Sequence, residues 1–104
     1  MPYYNTVNQV LEKKVSVLPS VWTALRVGDD NAIGRKFIGI FNRTGSKSAA
    51  KMFITTDNTM DPADCRVIKI GGERIFPYSH HVTLYGMSAG SGSCAIVVTE
   101  ELGS

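Results

Sequence analysis

Residues 37–101 read FIGIFNRTGSKSAAKMFITTDNTMDPADCRVIKIGGERIFPYSHHVTLYGMSAGSGSCAIVVTEE. In this stretch, apolar runs of strand length alternate with interruptions rich in Gly, Ser, Asn, Asp and Pro. Short strands with turn signals between them are typical of an antiparallel β domain. The sequence therefore predicts an all-β fold, in the form of a small antiparallel β-sandwich or jelly roll.

The strongest predicted strand is KFIGIFN, residues 36–42. Alternation along a strand puts Phe37 and Phe41 on one face and Ile38 and Ile40 on the other. Because both faces are apolar, we expect this strand in the middle of a sheet or against another subunit. Turn and alternation signals predict the remaining strands at residues 15–21, 51–56, 66–70, 73–76, 80–85 and 94–99.

The length of the chain, 104 residues, suits one domain with a core of its own. A hydrophobic fraction of 43% and a charged fraction of 19% argue against wholesale disorder. We expect a β-sandwich domain over residues 14–104 and a short N-terminal arm over residues 1–13. Two interpretations of the arm stay open: a frayed terminus, or an arm whose Tyr3 and Tyr4 dock on a neighbouring subunit or partner.

Charge and hydropathy exclude two classes of partner. The formal net charge is +2 and the 11 basic residues form no stripe, so no nucleic-acid partner is expected. The sequence has no apolar run of about 18 residues, so we expect no membrane partner and no membrane-spanning segment. The N-terminus lacks the basic start and apolar stretch of a signal peptide, which favours synthesis in a cytoplasm.

The two cysteines, Cys65 and Cys94, are far apart in the sequence. In a reducing cytoplasm we expect two thiols, at least one of them in a strand core. A disulfide stays open as the alternative, because it requires neighbouring strands with a suitable Cα spacing.

The sequence offers no catalytic or metal-binding constellation. His80 and His81 are adjacent, so on a strand their side chains point to opposite faces and do not share one metal. Asp57, Asp61 and Asp64 lack the Gly and the terminal Glu of a calcium loop, so we expect Asx-turns and N-caps there. The chain has neither a nucleophile elbow nor a phosphate-binding loop. We therefore expect no enzyme activity, no cofactor and no metal.

Five segments follow one another in a characteristic order of strand, Gly/Ser loop and hairpin. They are GRKFIGIFNRTGS, KMFITTDNT, RVIKIGGERIF, HVTLYGMSAGSGS and CAIVVTEEL. This order resembles a small β-structured domain found among virion proteins of tailed bacteriophages. The resemblance implies a structural virion component present in many copies, and specifically a capsid decoration (cement) protein that binds and stabilises the head shell.

The resemblance also implies partners and an interface. A cement protein bridges neighbouring capsomers, so we expect contacts with the major capsid protein or another virion protein, and a homo-oligomer, with a trimer favoured. Aromatic anchors dominate interface energies and basic residues steer association with an acidic exterior. The residues that we expect at the interface are Tyr3, Tyr4, Lys13, Lys14, Arg35, Lys36, Phe37 and Arg43.

Three other functions stay open. The chain can be a head–tail or tail accessory protein built on the same fold, which differs from a decoration protein in copy number per virion. A carbohydrate- or receptor-binding module would use an exposed aromatic row, for which Trp22, Tyr78 and Tyr85 are the candidates. A small cupin-like enzyme would hold a metal near His80 or His81.

Overall fold

The computed structural model describes residues 7–45 and 51–103. In these residues eight strands and one short 3₁₀ helix, Pro62–Asp64, follow one another along the chain. The strands are β1 (Val7–Val17), β2 (Thr23–Leu25), β3 (Arg35–Asn42), β4 (Lys51–Thr55), β5 (Arg66–Lys69), β6 (Glu73–Phe76), β7 (Leu84–Ser88) and β8 (Cys94–Gly103).

The strands form two four-stranded sheets. Sheet A has the order β1-β8-β3-β6, sheet B has the order β2-β7-β4-β5, and all neighbouring strands are antiparallel. The pairs are nested along the chain, with β1 beside β8, β2 beside β7, β3 beside β6, and β4 beside β5. Nested pairing in two packed sheets is the topology of an eight-stranded jelly roll. The predicted all-β sandwich or jelly roll is confirmed.

The core lies between the two sheets and is built by alternation along the strands. Ile38 and Ile40 of β3 are buried, as are Ile96 and Val98 of β8, because every second side chain of a strand points to the same face. Each such aliphatic side chain contributes about 1.5–3 kcal/mol through its removal from water. The other core residues are Val17, Leu25, Met52, Ile54, Ile68, Phe76, Leu84 and Cys94. β3 lies between two strands of sheet A, which agrees with its two apolar faces.

The N-terminal boundary differs from the predicted one. β1 begins at Val7, so residues 7–13 belong to a strand of the sandwich, where an arm was expected. Residues 11–14, Leu-Glu-Lys-Lys, have a high helix propensity and three charges, so their sequence does not indicate a strand. Pairing with β8 along this stretch overrides that local preference. Tyr3 and Tyr4, the aromatic residues of the predicted arm, lie outside the described residues.

A second difference concerns residues 80–93. The strand expected at residues 80–85 begins at Leu84 and continues to Ser88, so the Gly/Ser loop begins only at Ala89. Gly86, which indicated a loop, lies within the strand: a Cβ atom there would lie 2.6 Å from the sulfur of Met52, so a larger residue would require this flexible side chain to move. The glycine therefore allows close packing between β7 and β4 within a strand.

His80 and His81 lie in a turn before β7, so the prediction that they point to opposite faces of a strand is wrong. Their ring centroids are 4.0 Å apart with an interplanar angle of 38°. The backbone of this turn is held by side chains of the β2–β3 segment: Asn31 donates to the carbonyl of His80 at 2.9 Å. The turn is thus fixed by contacts that no local sequence signal reports.

Both cysteines are thiols, as expected, and no disulfide joins them. Cys94 is buried at the start of β8, where its sulfur lies 3.4 Å from the carbonyl oxygen of Lys51. Cys65 is half-buried between the 3₁₀ helix and β5, and its sulfur lies 3.5 Å from the carbonyl oxygen of Asp61.

Candidate functional site

The outward face of sheet A carries apolar side chains on its two central strands. Alternation places Phe37, Gly39 and Phe41 of β3 on this side, next to Val97 and Thr99 of β8. Antiparallel sheets that have one face in water usually carry polar side chains on that face. We call the outward side of sheet A the A face; its residues are Val10, Glu12, Lys14, Ser16, Phe37, Gly39, Phe41, Glu73, Ile75, Ala95, Val97, Thr99 and Glu101.

The apolar part of the A face crosses three strands. Phe41 is directly opposite Val97 of β8, and Gly39 is opposite Ile75 of β6. Phe37 and Phe41 are half-buried, while Ile75 exposes 59% of its surface. Exposed apolar patches that span neighbouring elements mark interaction sites. The A face is therefore the candidate binding surface of the fold.

One corner of the A face is basic. Lys14 of β1 and Arg43, which follows β3, line a shallow depression beside Val97. A wider depression on the same side also includes Glu12 and Phe41. Lys14 and Arg43 are exposed, so the fold brings together two of the cations expected at the interface. Lys13 is exposed as well, but it is opposite the inward residue Val98 and therefore belongs to the other side of sheet A. The corner combines an aromatic anchor with positive charge.

Arg35 does not lie on this surface, although the sequence pattern placed it with Phe37. Strict alternation would put both residues on one face, but the pairing of β3 with β8 shifts register between them, where Lys36 forms a bulge. A bulge re-aims the side chains that precede it. As a result Phe37 points outward, Arg35 is buried with 2% exposure, and Lys36 is half-buried. We therefore remove Arg35 from the expected interface.

Arg35 instead forms a buried ion pair with Glu100 of β8. Its Nη1 donates to Oε2 of Glu100 at 2.9 Å, and neither side chain is exposed to solvent. Sequence analysis did not single out Glu100. Glu100 continues the series of inward residues Ile96 and Val98, which lie at every second position of β8. A glutamate at an inward position of an apolar strand was the sequence signal that could have indicated a buried ion pair.

The ion pair holds two loops at one end of the sandwich. Glu100 accepts hydrogen bonds from the backbone N–H groups of Val27 at 2.7 Å and Ala32 at 3.0 Å. Arg35 donates to three carbonyl oxygens of the β6–β7 segment, those of Tyr78, Ser79 and Val82. A buried charge is costly unless it is paired and hydrogen-bonded, and both conditions are met here. We call the Arg35–Glu100 pair with these backbone partners the clamp; its role is structural.

A cleft of about 270 Å³ opens at the same end of the sandwich. Its floor is made of core side chains such as Ile54 and Phe76, and its rim includes Asp64, Arg66 and Tyr78. The Tyr78 ring stacks on Phe76 with centroids 5.0 Å apart. Asp64, Cys65 and Arg66 thus bring one carboxylate, one thiol and one guanidinium to the lining of the cleft.

The structure separates the residues that an alternative site would need. Trp22 precedes β2, Tyr78 precedes β7 and Tyr85 lies within β7; all three are half-buried, so they form no exposed aromatic row. Among the described residues, no group of three His, Cys, Asp or Glu side chains is arranged to hold a metal ion. Within the same residues, no helix is long and apolar enough to cross a membrane.

The acidic loop before β5 uses its carboxylates to hold its own backbone, as the Asx-turn and N-cap prediction states. Asp61 caps the 3₁₀ helix by accepting from the backbone N–H of Ala63 at 3.0 Å. Asp57 accepts from the hydroxyl of Thr59 at 2.6 Å and from its backbone N–H at 2.9 Å.

These bonds predict a shifted titration of Asp57. The hydroxyl of Thr59, followed by its backbone N–H, holds the pKa of Asp57 below the ordinary value. The stabilisation is therefore present above the unfolded-state pKa of about 3.9 and is lost as pH falls through the lower folded-state pKa. A carboxyl NMR titration should show the lowered pKa, and Thr59→Ala should move it back toward the ordinary value. An unshifted wild-type titration would contradict the hydrogen bonds described above.

No protein-family model matches this chain, and a search of the curated proteins found no match. The resemblance to virion proteins of tailed bacteriophages therefore stays a prediction.

Proposed function

We propose that the protein is a structural protein of a tailed-bacteriophage virion, a decoration protein that binds the head shell and stabilises it. Its partner is the major capsid protein or another virion protein. The order of strands and loops in the sequence resembles that class, and eight-stranded jelly rolls are common in viral capsid proteins. Because a fold does not by itself determine function, the proposal depends on the A face.

The observation that carries the proposal is the pair of outward phenylalanines on β3. Phe37 lies near the start and Phe41 near the end of β3, a central strand of sheet A, and at Phe41 this strand has paired neighbours on both sides. A rigid, well-paired strand presents aromatic side chains in a fixed geometry, and aromatic anchors in the middle of a surface dominate binding energy. Outward aromatic anchors of this kind suit a large, flat partner such as a shell.

The basic corner supplies the second part of the argument. Lys14 and Arg43 are exposed beside Phe41, and Glu12 lines the same depression. Glu73 and Glu101 lie on the other side of Phe41 on the same face. Such a distribution of charge fixes the orientation of a partner and speeds its approach more than it raises affinity. We therefore expect the contacted part of the shell to be acidic opposite Lys14 and Arg43.

Co-sedimentation with emptied heads of the phage tests this proposal. The wild-type chain should load onto heads in stoichiometric amounts, and Phe41→Ser should reduce loading at least about tenfold, as expected when a central aromatic anchor is removed. The matched control is Phe53→Ser, which removes a half-buried phenylalanine from β4 on the opposite, outward side of sheet B.

Two results would overturn the assignment of the A face. One is undiminished loading of Phe41→Ser; the other is loss of loading with Phe53→Ser alone, which would place the contact on sheet B. Both variants are first checked for a cooperative thermal transition, so that an unfolded variant is not counted as a binding defect. Stoichiometry also tests the tail accessory alternative, because a tail protein would not load in shell-like copy number.

A further inference from the structure

The four edge strands of the two sheets differ greatly in length. β2 has three residues and β5 and β6 have four each, whereas β1 has 11. Natural β proteins keep exposed edges short, because an unpaired row of N–H and C=O groups is a template for another strand. Within the described residues, β1 pairs with β8 alone. Three of the four edge strands are thus too short to pair well with another chain, whereas the fourth, β1, is long enough to do so.

We infer that β1 pairs with β1 of a second copy of this chain, antiparallel and centred on Lys13. Sheet A of one copy then continues into sheet A of the other, giving one eight-stranded sheet about a two-fold axis. An antiparallel contact between identical strands is closed and self-complementary, so it stops at two copies. This inference concerns the free protein and does not depend on the proposed function.

The register follows from alternation and charge. In a paired sheet, directly opposed residues point to the same face, so an outward residue of β1 is opposite an outward residue of the second β1. The two-fold axis must therefore pass through a residue and not between two residues. With the centre at Lys13, Glu12 is opposite Lys14 of the second copy, twice by symmetry. Leu11 is then opposite Val15 of the second copy on the inner side. Opposite charges in direct cross-strand pairs are stabilising.

Registers centred on the residues next to Lys13 have less favourable charge contacts. With the centre at Glu12, this glutamate is opposite its own copy, and with the centre at Lys14, the two lysines meet. Like charges directly opposite are destabilising. The chosen register has one such contact, between the two Lys13 side chains, against two Glu–Lys pairs. Lys13 is exposed and lines a depression that also includes Arg26 and Asp29, so one cation and one carboxylate lie near it.

The pairing also gives Val10, an exposed apolar residue of β1, a neighbour on the second copy. Val10, which exposes 57% of its surface, is opposite Ser16 of the second copy on the outward side. The two A faces then lie on the same side of one continuous sheet, with both basic corners close to the two-fold axis. The dimer therefore presents two copies of the binding surface in one plane.

The test is the mass of the full-length protein in solution, by light scattering and sedimentation over a range of concentrations without phage heads. The wild-type chain should be a dimer. Lys14→Glu turns both Glu–Lys pairs into Glu–Glu pairs and should weaken dimerisation at least about tenfold. The double variant Glu12→Lys/Lys14→Glu restores opposite charges in the same register and should return the dimer to near wild-type strength.

Each other outcome would overturn the inference. A wild-type monomer refutes the pairing, and a trimer, which the virion resemblance implies, refutes the two-fold contact. A dimer that is indifferent to Lys14→Glu, or one that the double variant does not recover, refutes the register and this edge. A monomer that still loads onto heads would refute the dimer while leaving the proposed function intact.

Discussion

Replacing Glu100 with alanine is expected to lower the free energy of unfolding by about 3–5 kcal/mol, the cost of leaving a buried charge without its partner. In this variant the Arg35 guanidinium stays buried with no carboxylate, and the N–H groups of Val27 and Ala32 lose their acceptor. Urea unfolding should show a large fall in the transition midpoint with a nearly unchanged slope.

Two variants control this experiment. Glu101→Ala removes the next carboxylate along β8, which lies on the A face and is half-buried, so its effect should stay within about 0.5 kcal/mol. Arg35→Met/Glu100→Leu removes both charges, and replacing a buried pair by apolar groups is often tolerated. The double variant should therefore be more stable than Glu100→Ala alone. Equal effects of Glu100→Ala and Glu101→Ala would mean that the clamp is not buried in solution.

Replacing Ile40 with alanine is expected to cost about 2–5 kcal/mol, through lost burial and the cavity that remains. Ile40 is 1% exposed and lies in the middle of β3, between two hydrogen-bonded strands that leave little room for collapse. Thermal and urea unfolding of the purified variant measure the loss.

The adjacent residue provides the control. Phe41→Ala would cost about 3–5 kcal/mol if the ring were fully buried, but the ring is half-buried on the A face, so the cost should be clearly smaller. The two variants thus separate stability from binding: Ile40→Ala destabilises the fold, whereas Phe41→Ala removes a contact to the partner. A larger loss for Phe41→Ala than for Ile40→Ala would mean that the two faces of β3 are assigned the wrong way round.

The sequence was sufficient to predict the central strands. In β3 and β8 continuous apolar runs predict strands, and alternation assigns the side chains of β3 to two faces, but because both faces are apolar, the inward face is known only from the packed sheets. Ile38 and Ile40 are in the core, and Phe37 lies on the opposite face together with Phe41, as the sequence predicts. The class of fold follows from such segments and from the turn residues between them.

The remaining features depend on contacts between distant residues. The bulge at Lys36 reverses the phase of β3 and turns Arg35 inward, toward a carboxylate 65 positions away in the sequence. The first half of β1 is a strand only because β8 pairs with it, since its own residues favour a helix. The A face itself is assembled from four strands, so Ile75 and Val97 could join Phe41 only once the strand order was known.

The nesting of the strands has a consequence for how the chain folds. In sheet A, β8 lies between β1 and β3, and it also carries Glu100 of the clamp. Sheet A therefore cannot be assembled before β8 has been synthesised. Only the innermost hairpin, β4 with β5, joins strands that are close in sequence. Topologies dominated by distant pairings fold slowly, on the order of milliseconds to seconds. A nascent chain of this protein therefore carries β1 without its partner until β8 has been synthesised, and charges such as those of Glu12, Lys13 and Lys14 disfavour aggregation of an unpaired strand.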